Sequence, residues 1–124
     1  MISGALKNKR EEAEKRGRRA ETLAVWYLRL KGYRILSRRY RTPVGEIDLI
    51  ARRAGLLAFI EVKARTTHSE AAHSVSRRQQ QRIGRAAEHF LAEHPALQNL
   101  NSRFDAILVA PHSWPHHLKG AWHL

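Results

Sequence analysis

The sequence contains no cysteine, no long hydrophobic run and few acidic residues. The absence of cysteine excludes a disulfide-bonded scaffold, a thiolate zinc site and a thiol nucleophile, and it fits a reducing compartment. No apolar run approaches the ~20 residues that a membrane span requires. No apolar stretch follows the basic amino terminus, as a secretory signal would need. We therefore expect a cytoplasmic protein that does not enter a membrane.

Positive charge is what the sequence has in excess. Its 124 residues include 23 Lys and Arg against 11 Asp and Glu, a formal net charge of +12. With 43% hydrophobic and 27% charged residues, the composition is typical of one globular domain and not of a disordered chain. Such a charge attracts polyanions, above all nucleic acid. Basic runs also bind membranes or acidic proteins, or simply keep a surface solvated.

The basic residues form two clusters that indicate a phosphate-facing surface. The first lies between Arg29 and Arg41 and contains no acidic residue, and the second lies between Arg77 and Arg85. Aromatic residues are sparse in the first cluster, so stacking on single strands is not specifically indicated. The predicted nucleic-acid-binding residues are Arg38, Arg39, Arg41, Arg65, Arg77, Arg78 and Arg82.

Hydrophobic periodicity predicts an α/β fold in which helices flank a mixed β-sheet, in the order αβββαββ. Residues 1–10 are polar and basic, which predicts a frayed tail. The predicted elements are helix 11–30, strands 33–40, 46–52 and 56–64, helix 75–93, and strands 103–110 and 116–122. The first three strands form an antiparallel meander, and residues 66–74 form a loop. We expect a single domain over residues 1–124.

Two neighbouring strands carry charged side chains where burial is expected. Because side chains two apart share a face of a strand, Asp48 is predicted to point away from Ile47 and Leu49. Adjacent antiparallel strands can then bring Asp48, Glu61 and Lys63 together. Charged groups within apolar strands are costly unless they are paired or bind a metal.

These residue types suit a hard divalent cation. Mg²⁺ or Mn²⁺ is held by one or two carboxylates together with water and phosphate oxygens. Asp48 and Glu61 would be those ligands, with the backbone carbonyl of Val62 as a further oxygen. The Lys63 ammonium would orient the metal-bound water or neutralise charge in a phosphoryl-transfer transition state. The alternative is an ion pair between Glu61 and Lys63 on a solvated sheet face, which contributes little.

Two helical residues extend this candidate catalytic site. Glu21 lies in the first helix and could complete the metal site or its water network, and the alternative is a surface pair with Arg18. Gln79 falls on the otherwise apolar stripe of the second helix, where a polar side chain needs a partner. It could bond a phosphate or a catalytic carboxylate, and the alternative is an ordinary surface glutamine.

Three motifs together resemble a known family. Residues 45–51 read GEIDLIA, residues 59–65 read FIEVKAR, and residues 103–105 read RFD. Over nearly the whole chain the sequence resembles the YraN-like family of small bacterial proteins. That family belongs to the restriction-endonuclease-like PD-(D/E)xK nuclease superfamily and is similar to archaeal Holliday junction resolvases. The resemblance implies metal-binding and catalytic positions at Asp48, Glu61 and Lys63, and it matches Glu21 to the helical glutamate of the resolvase-like branch.

The resemblance is less informative at other positions. Glu46 belongs to the GEID motif without a defined role. Gln79 stands where the family more often places a lysine, so no cationic role carries over to this helix position. Asp105 is expected to have a structural role, either paired with Arg103 or capping a turn.

Eight histidines are present, and none is predicted to bind zinc. His112, His116 and His117 lie near a predicted turn, without the helical spacing or the thiolates that specify a closed zinc site. His68 and His73 fall in or beside the predicted loop and could contact phosphate.

The sequence as a whole favours a metal-dependent endonuclease-like protein that hydrolyses DNA phosphodiester bonds with Mg²⁺ or Mn²⁺. Branched or single-stranded DNA and repair intermediates are the candidate substrates. Two alternatives stay open: a nucleic-acid-binding protein without turnover, and a basic accessory subunit that docks an acidic partner. Acidic residues at the centre of a basic field favour the nuclease. The small size of the chain favours a homodimer on DNA.

Overall fold

The computed structural model describes residues 2–65 and 75–123, with side chains from residue 4 onward. The elements are α1 (Ile2–Leu30), β1 (Arg34–Thr42), β2 (Gly45–Arg53), β3 (Leu56–Ala64), α2 (Arg77–Glu93), β4 (Asn101–Val109) and β5 (His116–Trp122). This order confirms the predicted αβββαββ arrangement, and the strand ends differ from the prediction by at most two residues. A short 3₁₀ helix, Pro95–Leu97, precedes β4. Neither α1 nor α2 is both long and apolar enough to cross a membrane.

The five strands form one mixed sheet in the order β1-β2-β3-β4-β5. Neighbouring strands are antiparallel except β3 and β4, which are parallel. A parallel pair needs a long crossover connection, and α2 lies in the segment that joins β3 to β4. The crossover therefore brings α2 back onto the sheet beside the start of β2.

The two helices cover opposite faces of the sheet. On one face, α1 contributes Ala24, Val25 and Leu28 to a buried cluster with side chains from β2 and β3. On the other, α2 contributes Ile83, Ala86, Ala87 and Phe90 to a second cluster. Successive residues of β3 alternate between the two clusters, as expected for a strand buried on both faces. Each large aliphatic or aromatic side chain buried in this way contributes about 1.5–3 kcal/mol.

Helix α1 begins at Ile2 and not at Glu11, so the residues predicted as a frayed tail form its first turns. Alanine, leucine, lysine, arginine and glutamate all favour helix, and Gly4 alone is too weak a breaker to delay it. Residues 4–16 are all exposed. Periodicity could not detect this extension, because the extended turns bury no apolar stripe.

Helix α2 begins at Arg77 and not at Val75, because Ser76 is its N-cap. The Ser76 hydroxyl accepts a hydrogen bond from the Gln79 amide at 3.1 Å, which satisfies one of the unpaired amides of the first turn. The predicted loop at residues 66–74, with His68 and His73, lies outside the described residues.

Asp105 joins β4 to β5 where their pairing shifts register. Its carboxylate is fully buried and accepts hydrogen bonds from Arg103 at 2.7 Å, His117 Nε2 at 2.8 Å and the Gly120 amide at 2.9 Å. Burial alone would raise the pKa of Asp105, but these hydrogen bonds outweigh it and lower the pKa to about 2. The predicted pair with Arg103 is confirmed, and the partners on β5 are additional.

Candidate functional site

The site lies where β2 and β3 separate. Their antiparallel pairing runs as far as Leu49 and Ile60. One step beyond that pair, the carboxylate of Asp48 accepts a hydrogen bond from the Val62 amide at 2.8 Å. Asp48 therefore lies at the opening between the two strands, next to the residue that follows Glu61.

The predicted alternation of β2 fails at Asp48. Leu49 packs in the cluster beneath α1, whereas Ile47 packs in the cluster beneath α2. Side chains two apart should share a face, so the strand changes direction between them. Two observations account for this change: the ladder with β3 ends here, and Arg39 on the neighbouring strand has φ 52°. The prediction that Ile47 and Leu49 share a face is wrong.

Glu61 and Lys63 form a direct ion pair with 3.1 Å between Nζ and Oε1. Their side chains are 11% and 17% exposed. The ion pair that the sequence left as an alternative is thus present, but it is largely buried and does not lie on a solvated face. A buried pair pays a desolvation penalty that its own attraction offsets only in part. Stability alone is a weak reason for such a pair to occur here.

The carboxyl group of Asp48 is difficult to ionise. Burial raises the pKa of Asp48 and the charge of Glu61 raises it further, to about 7, against the opposing effect of the Val62 amide. Glu61 and Lys63 thus lie close enough to Asp48 to act on its charge: Glu61 raises the pKa of Asp48, and Lys63 opposes this rise. A cation placed between two such acids would relieve both burial and repulsion.

Glu21 lies beside this group on α1, but its partner is Arg39 and not Arg18. Two nitrogens of the Arg39 guanidinium lie 3.0–3.2 Å from the Glu21 carboxylate, which is 11% exposed. The hydrogen bond and charge of Glu21 raise the pKa of Arg39. The positive φ of Arg39, costly for a residue with a Cβ, accompanies this contact. Sequence reasoning placed Arg39 on nucleic acid and missed this pairing.

Two small clefts open on the site. One, of about 110 Å³, is lined by Glu21, Arg39, Arg41, Glu46, Ile47 and Asp48. The other, of about 90 Å³, is lined by Glu46, Glu61, Gln79, Arg82 and Ile83. Glu46 borders both clefts, and its side chain is exposed and 3.7 Å from Arg41. Gln79 therefore reaches the cleft that contains Glu61, as its place on α2 predicted.

Gly45 sets how closely α2 approaches the site, and sequence reasoning missed this role. A Cβ added to Gly45 would lie 2.3 Å from the carbonyl oxygen of Arg82. The close contact requires glycine, because no other residue would leave room for the helix backbone. Gly45, the first residue of the GEID motif, thus allows α2 to come close enough for Gln79 and Arg82 to line a cleft.

The predicted basic residues do not all face the site. Arg39 and Arg41 line the Asp48 cleft and Arg82 lines the Glu61 cleft. The other four line neither cleft: Arg38, Arg65, Arg77 and Arg78.

Over residues 2–65 and 75–123, no three His, Cys, Asp or Glu residues form a group that could hold a metal ion on their own. Of the carboxyl groups predicted to cluster, Glu21 is held by Arg39. His117 lies against Asp105 and is buried. Any cation at Asp48 and Glu61 would need oxygen atoms from water or from a substrate.

The fold and the site together define an α/β protein with a carboxylate and lysine group at the opened ends of two central strands. A family model described as "Uncharacterised protein family UPF0102" matches residues 20–109. The chain belongs to this family, which is the YraN-like family that its motifs resemble. The matched range contains the site from Glu21 to Gln79.

Close relatives carry the same family description. A "UPF0102 protein" of Parvibaculum lavamentivorans is 54% identical over 106 residues, which cover 86% of this chain and 80% of the relative. One from Rhodopseudomonas palustris strain BisA53 is 57% identical over the same share of this chain and 82% of its own length. "UPF0102 protein bll0669" of Bradyrhizobium diazoefficiens is 53% identical over 91% of this chain and 85% of the relative.

Proposed function

We propose that this protein is a metal-dependent nuclease that hydrolyses phosphodiester bonds of DNA. The observation that carries the proposal is the buried group of Asp48, Glu61 and Lys63 at the point where β2 and β3 separate. Two acids and an amine beside one another suit phosphoryl transfer assisted by a divalent cation. A protein that only binds polyanions has no use for acids at the centre of its basic surface.

The donor set fits Mg²⁺ or Mn²⁺. Both are hard cations that prefer oxygen, and Mg²⁺ usually takes one or two protein carboxylates and fills its remaining positions with water and substrate phosphate. Asp48 and Glu61 supply such a pair, and burial together with the charge of Glu61 raises the pKa of Asp48, which a cation beside the two acids would oppose. The Val62 carbonyl would be a further oxygen. A bound cation would make water more acidic and offset charge on the phosphate.

The other residues have roles that follow from their position. Lys63 places its ammonium beside Glu61 and would stabilise the negative charge that develops on the attacked phosphate. Gln79 borders the same cleft and can donate its amide hydrogens to a phosphate oxygen or to Glu61. Glu21 could join the site only after Arg39 releases it. Glu46 has no assigned role beyond bordering both clefts.

DNA is the proposed partner because the clefts have basic rims. Arg41 and Arg82 are exposed and border the two clefts, where each could neutralise a backbone phosphate. The net charge of +12 would draw a polyanion to this face. We extend the proposal to a cytoplasmic location, where bacterial DNA lies, and to a homodimer on branched DNA.

One observation favours a second candidate function. The salt bridge between Arg39 and Glu21 neutralises the third acid of the predicted site. A nucleic-acid-binding protein without turnover would tolerate that contact permanently. Such a protein would bind DNA with strong salt dependence and no metal requirement.

Cleavage and metal uptake, measured on the same preparations, test the proposal. Labelled duplex, flap, single-stranded and four-way DNA are incubated with the full chain and Mn²⁺, and Mn²⁺ binding is followed by calorimetry. We expect cleavage of at least one substrate, lost in Glu61→Gln and Lys63→Met. Glu14→Gln and Lys119→Met change exposed residues of the same types away from the site and should cut normally.

Equal cleavage by the site variants and the wild type would disprove the assigned site. DNA binding without Mn²⁺ uptake or cleavage would favour the binding protein.

A further inference from the structure

One side of α1 carries an unusual stripe of exposed residues. At steps of three or four residues it runs through Lys15, Arg19, Leu23, Trp26 and Leu30. At 1.5 Å per residue this stripe is about 22 Å long. Its first half is basic and its second half is apolar, so the two halves offer different chemistry along one line.

The apolar half forms a groove with the turn between β4 and β5. Trp26 and Trp114 are 59% and 76% exposed, and both line a cavity of about 370 Å³. Leu23, Leu30 and Pro115 complete its apolar walls. Large apolar side chains exposed side by side on a small protein mark a binding surface. Two indole rings on one groove suit a flat ligand that can stack on them.

The basic half forms a second groove that continues the first. Lys15, Arg18 and Arg19 line it, and Leu23 belongs to both grooves. Among the described residues, no acidic side chain lines either groove. The continuous surface therefore pairs aromatic rings with positive charges, the combination that binds single-stranded nucleic acid through stacked bases and neutralised phosphates.

The middle of the stripe lies beside the candidate catalytic site. Thr22, which lines the basic groove, follows Glu21 directly and lies 3.5 Å from the guanidinium of Arg38 on β1. Along α1, Glu21 lies between Arg19 on the basic side and Trp26 on the apolar side. A strand of DNA leaving the Asp48 cleft past Glu21 would therefore meet the two grooves where they join.

We propose that this face of α1 binds single-stranded DNA, with phosphates on Lys15, Arg18 and Arg19 and an unpaired base stacked on Trp26 and Trp114. The inference rests on the proposed function in one respect, since it names the form of DNA that reaches that site. A second copy of the chain fits the groove less well, because two chains of net charge +12 would bring their basic grooves together.

Binding without catalysis tests the inference. Fluorescence anisotropy of a labelled oligothymidylate is measured with the full chain in EDTA, so that cleavage plays no part. Because one stacked base is worth about 1–3 kcal/mol, we expect Trp26→Ala and Trp114→Ala each to weaken binding about tenfold. Trp26→Phe and Trp114→Phe, which keep a ring, should stay near the wild type. Leu6→Ala removes an exposed apolar side chain of α1 outside the grooves and should have no effect.

An abasic oligonucleotide separates stacking from charge. The wild type should bind it at least tenfold more weakly than oligothymidylate, and the double variant Trp26→Ala/Trp114→Ala should bind both equally, because the rings on which a base would stack are then missing. Unchanged binding by the alanine variants would overturn the inference, as would no binding by the wild type. It would also fall if sedimentation showed a dimer that Trp114→Ala dissociates while oligonucleotide binding stays unchanged.

Cleavage by the same protein preparations tests the nuclease proposal separately. When Mn²⁺ is added, the wild type should cut DNA and Glu61→Gln should cut nothing. If binding depends on the tryptophans but the wild type cuts no substrate, the nuclease proposal is refuted and the inference that α1 binds single-stranded DNA is supported. If cleavage is lost in Glu61→Gln but unchanged in the tryptophan variants, the nuclease proposal is supported and the inference about α1 is overturned.

Discussion

Replacing Asp48 by asparagine should make this protein more stable at alkaline pH, although it removes a proposed metal ligand. The pKa of Asp48 rises from its ordinary value of 3.8 to about 7 on folding. At 1.36 kcal/mol per pKa unit, a shift of about three units destabilises the folded state by up to ~4 kcal/mol once the group is ionised. An asparagine side chain would not ionise, and its amide oxygen can still accept the hydrogen bond from Val62.

The sign of this effect on stability follows from the pH at which Asp48 loses its proton in the folded and in the unfolded state. Below about pH 4 the Asp48 carboxyl is protonated in both the folded and the unfolded state, so it does not change the free energy of unfolding. As the pH rises towards 7, the unfolded chain releases its proton first, so the folded state loses relative stability. The advantage of Asp48→Asn should therefore be near zero at about pH 4 and reach about 2–4 kcal/mol at about pH 8.

Urea denaturation of the wild type and the variant across this pH range measures the difference in unfolding free energy. Glu88→Gln, an exposed acid on α2, is the control and should show no pH-dependent difference. Mn²⁺ at a hundredfold excess over its dissociation constant should stabilise the wild type by ~2.7 kcal/mol and leave Asp48→Asn unchanged. If Asp48→Asn is no more stable than the wild type at alkaline pH, the argument from burial and repulsion is refuted.

Three further substitutions test the structure around the site. Gly45→Ala should destabilise the protein by about 1–3 kcal/mol in thermal or urea unfolding, because its Cβ would meet the carbonyl of Arg82 at 2.3 Å. Asp105→Ala should destabilise it by about 3–5 kcal/mol by leaving the hydrogen-bond donors of Arg103, His117 and Gly120 without their acceptor, and the wild type should keep this stabilisation above about pH 4 and lose it towards pH 2. Arg39→Ala should free Glu21 and tighten Mn²⁺ binding in calorimetry, and unchanged affinity would show that Glu21 takes no part in the metal site.

The sequence was informative about which elements form and in what order. The apolar residues of α2 recur at helical spacing, and short apolar runs bounded by turn residues mark β2 and β3, so the order of elements and the mixed sheet could be predicted. The same reasoning placed Asp48, Glu61 and Lys63 near one another. It failed for the face of Ile47, because a local change of direction where the β2–β3 ladder ends leaves no trace in hydrophobic pattern.

Contacts between distant segments were beyond sequence reasoning. Arg39 and Glu21 are 18 positions apart in the sequence, and their contact accompanies a left-handed backbone conformation at Arg39 itself, in β1. An arginine gives no local signal for that backbone conformation, as glycine or asparagine would. The role of Gly45 depends on the path of α2, which reaches it across the connection between β3 and β4. Only the tertiary structure supplies these partners.

The two aspartates of this chain differ in the positive charge and hydrogen-bond donors around them, and this difference supports the proposal of a cation at Asp48. Asp105 is fully buried, yet four hydrogen-bond donors from Arg103, His117 and Gly120 lower its pKa to about 2. Among the described residues, Asp48 accepts a hydrogen bond from one donor, the Val62 amide, and its pKa rises to about 7. Asp105 is fully buried and Asp48 only partly, so burial alone would predict the higher pKa for Asp105. The difference is the supply of positive charge and donors, which is complete at Asp105 and deficient at Asp48. A bound divalent cation would supply what the protein leaves missing there, whereas a purely structural acid at that position would be less stable than asparagine.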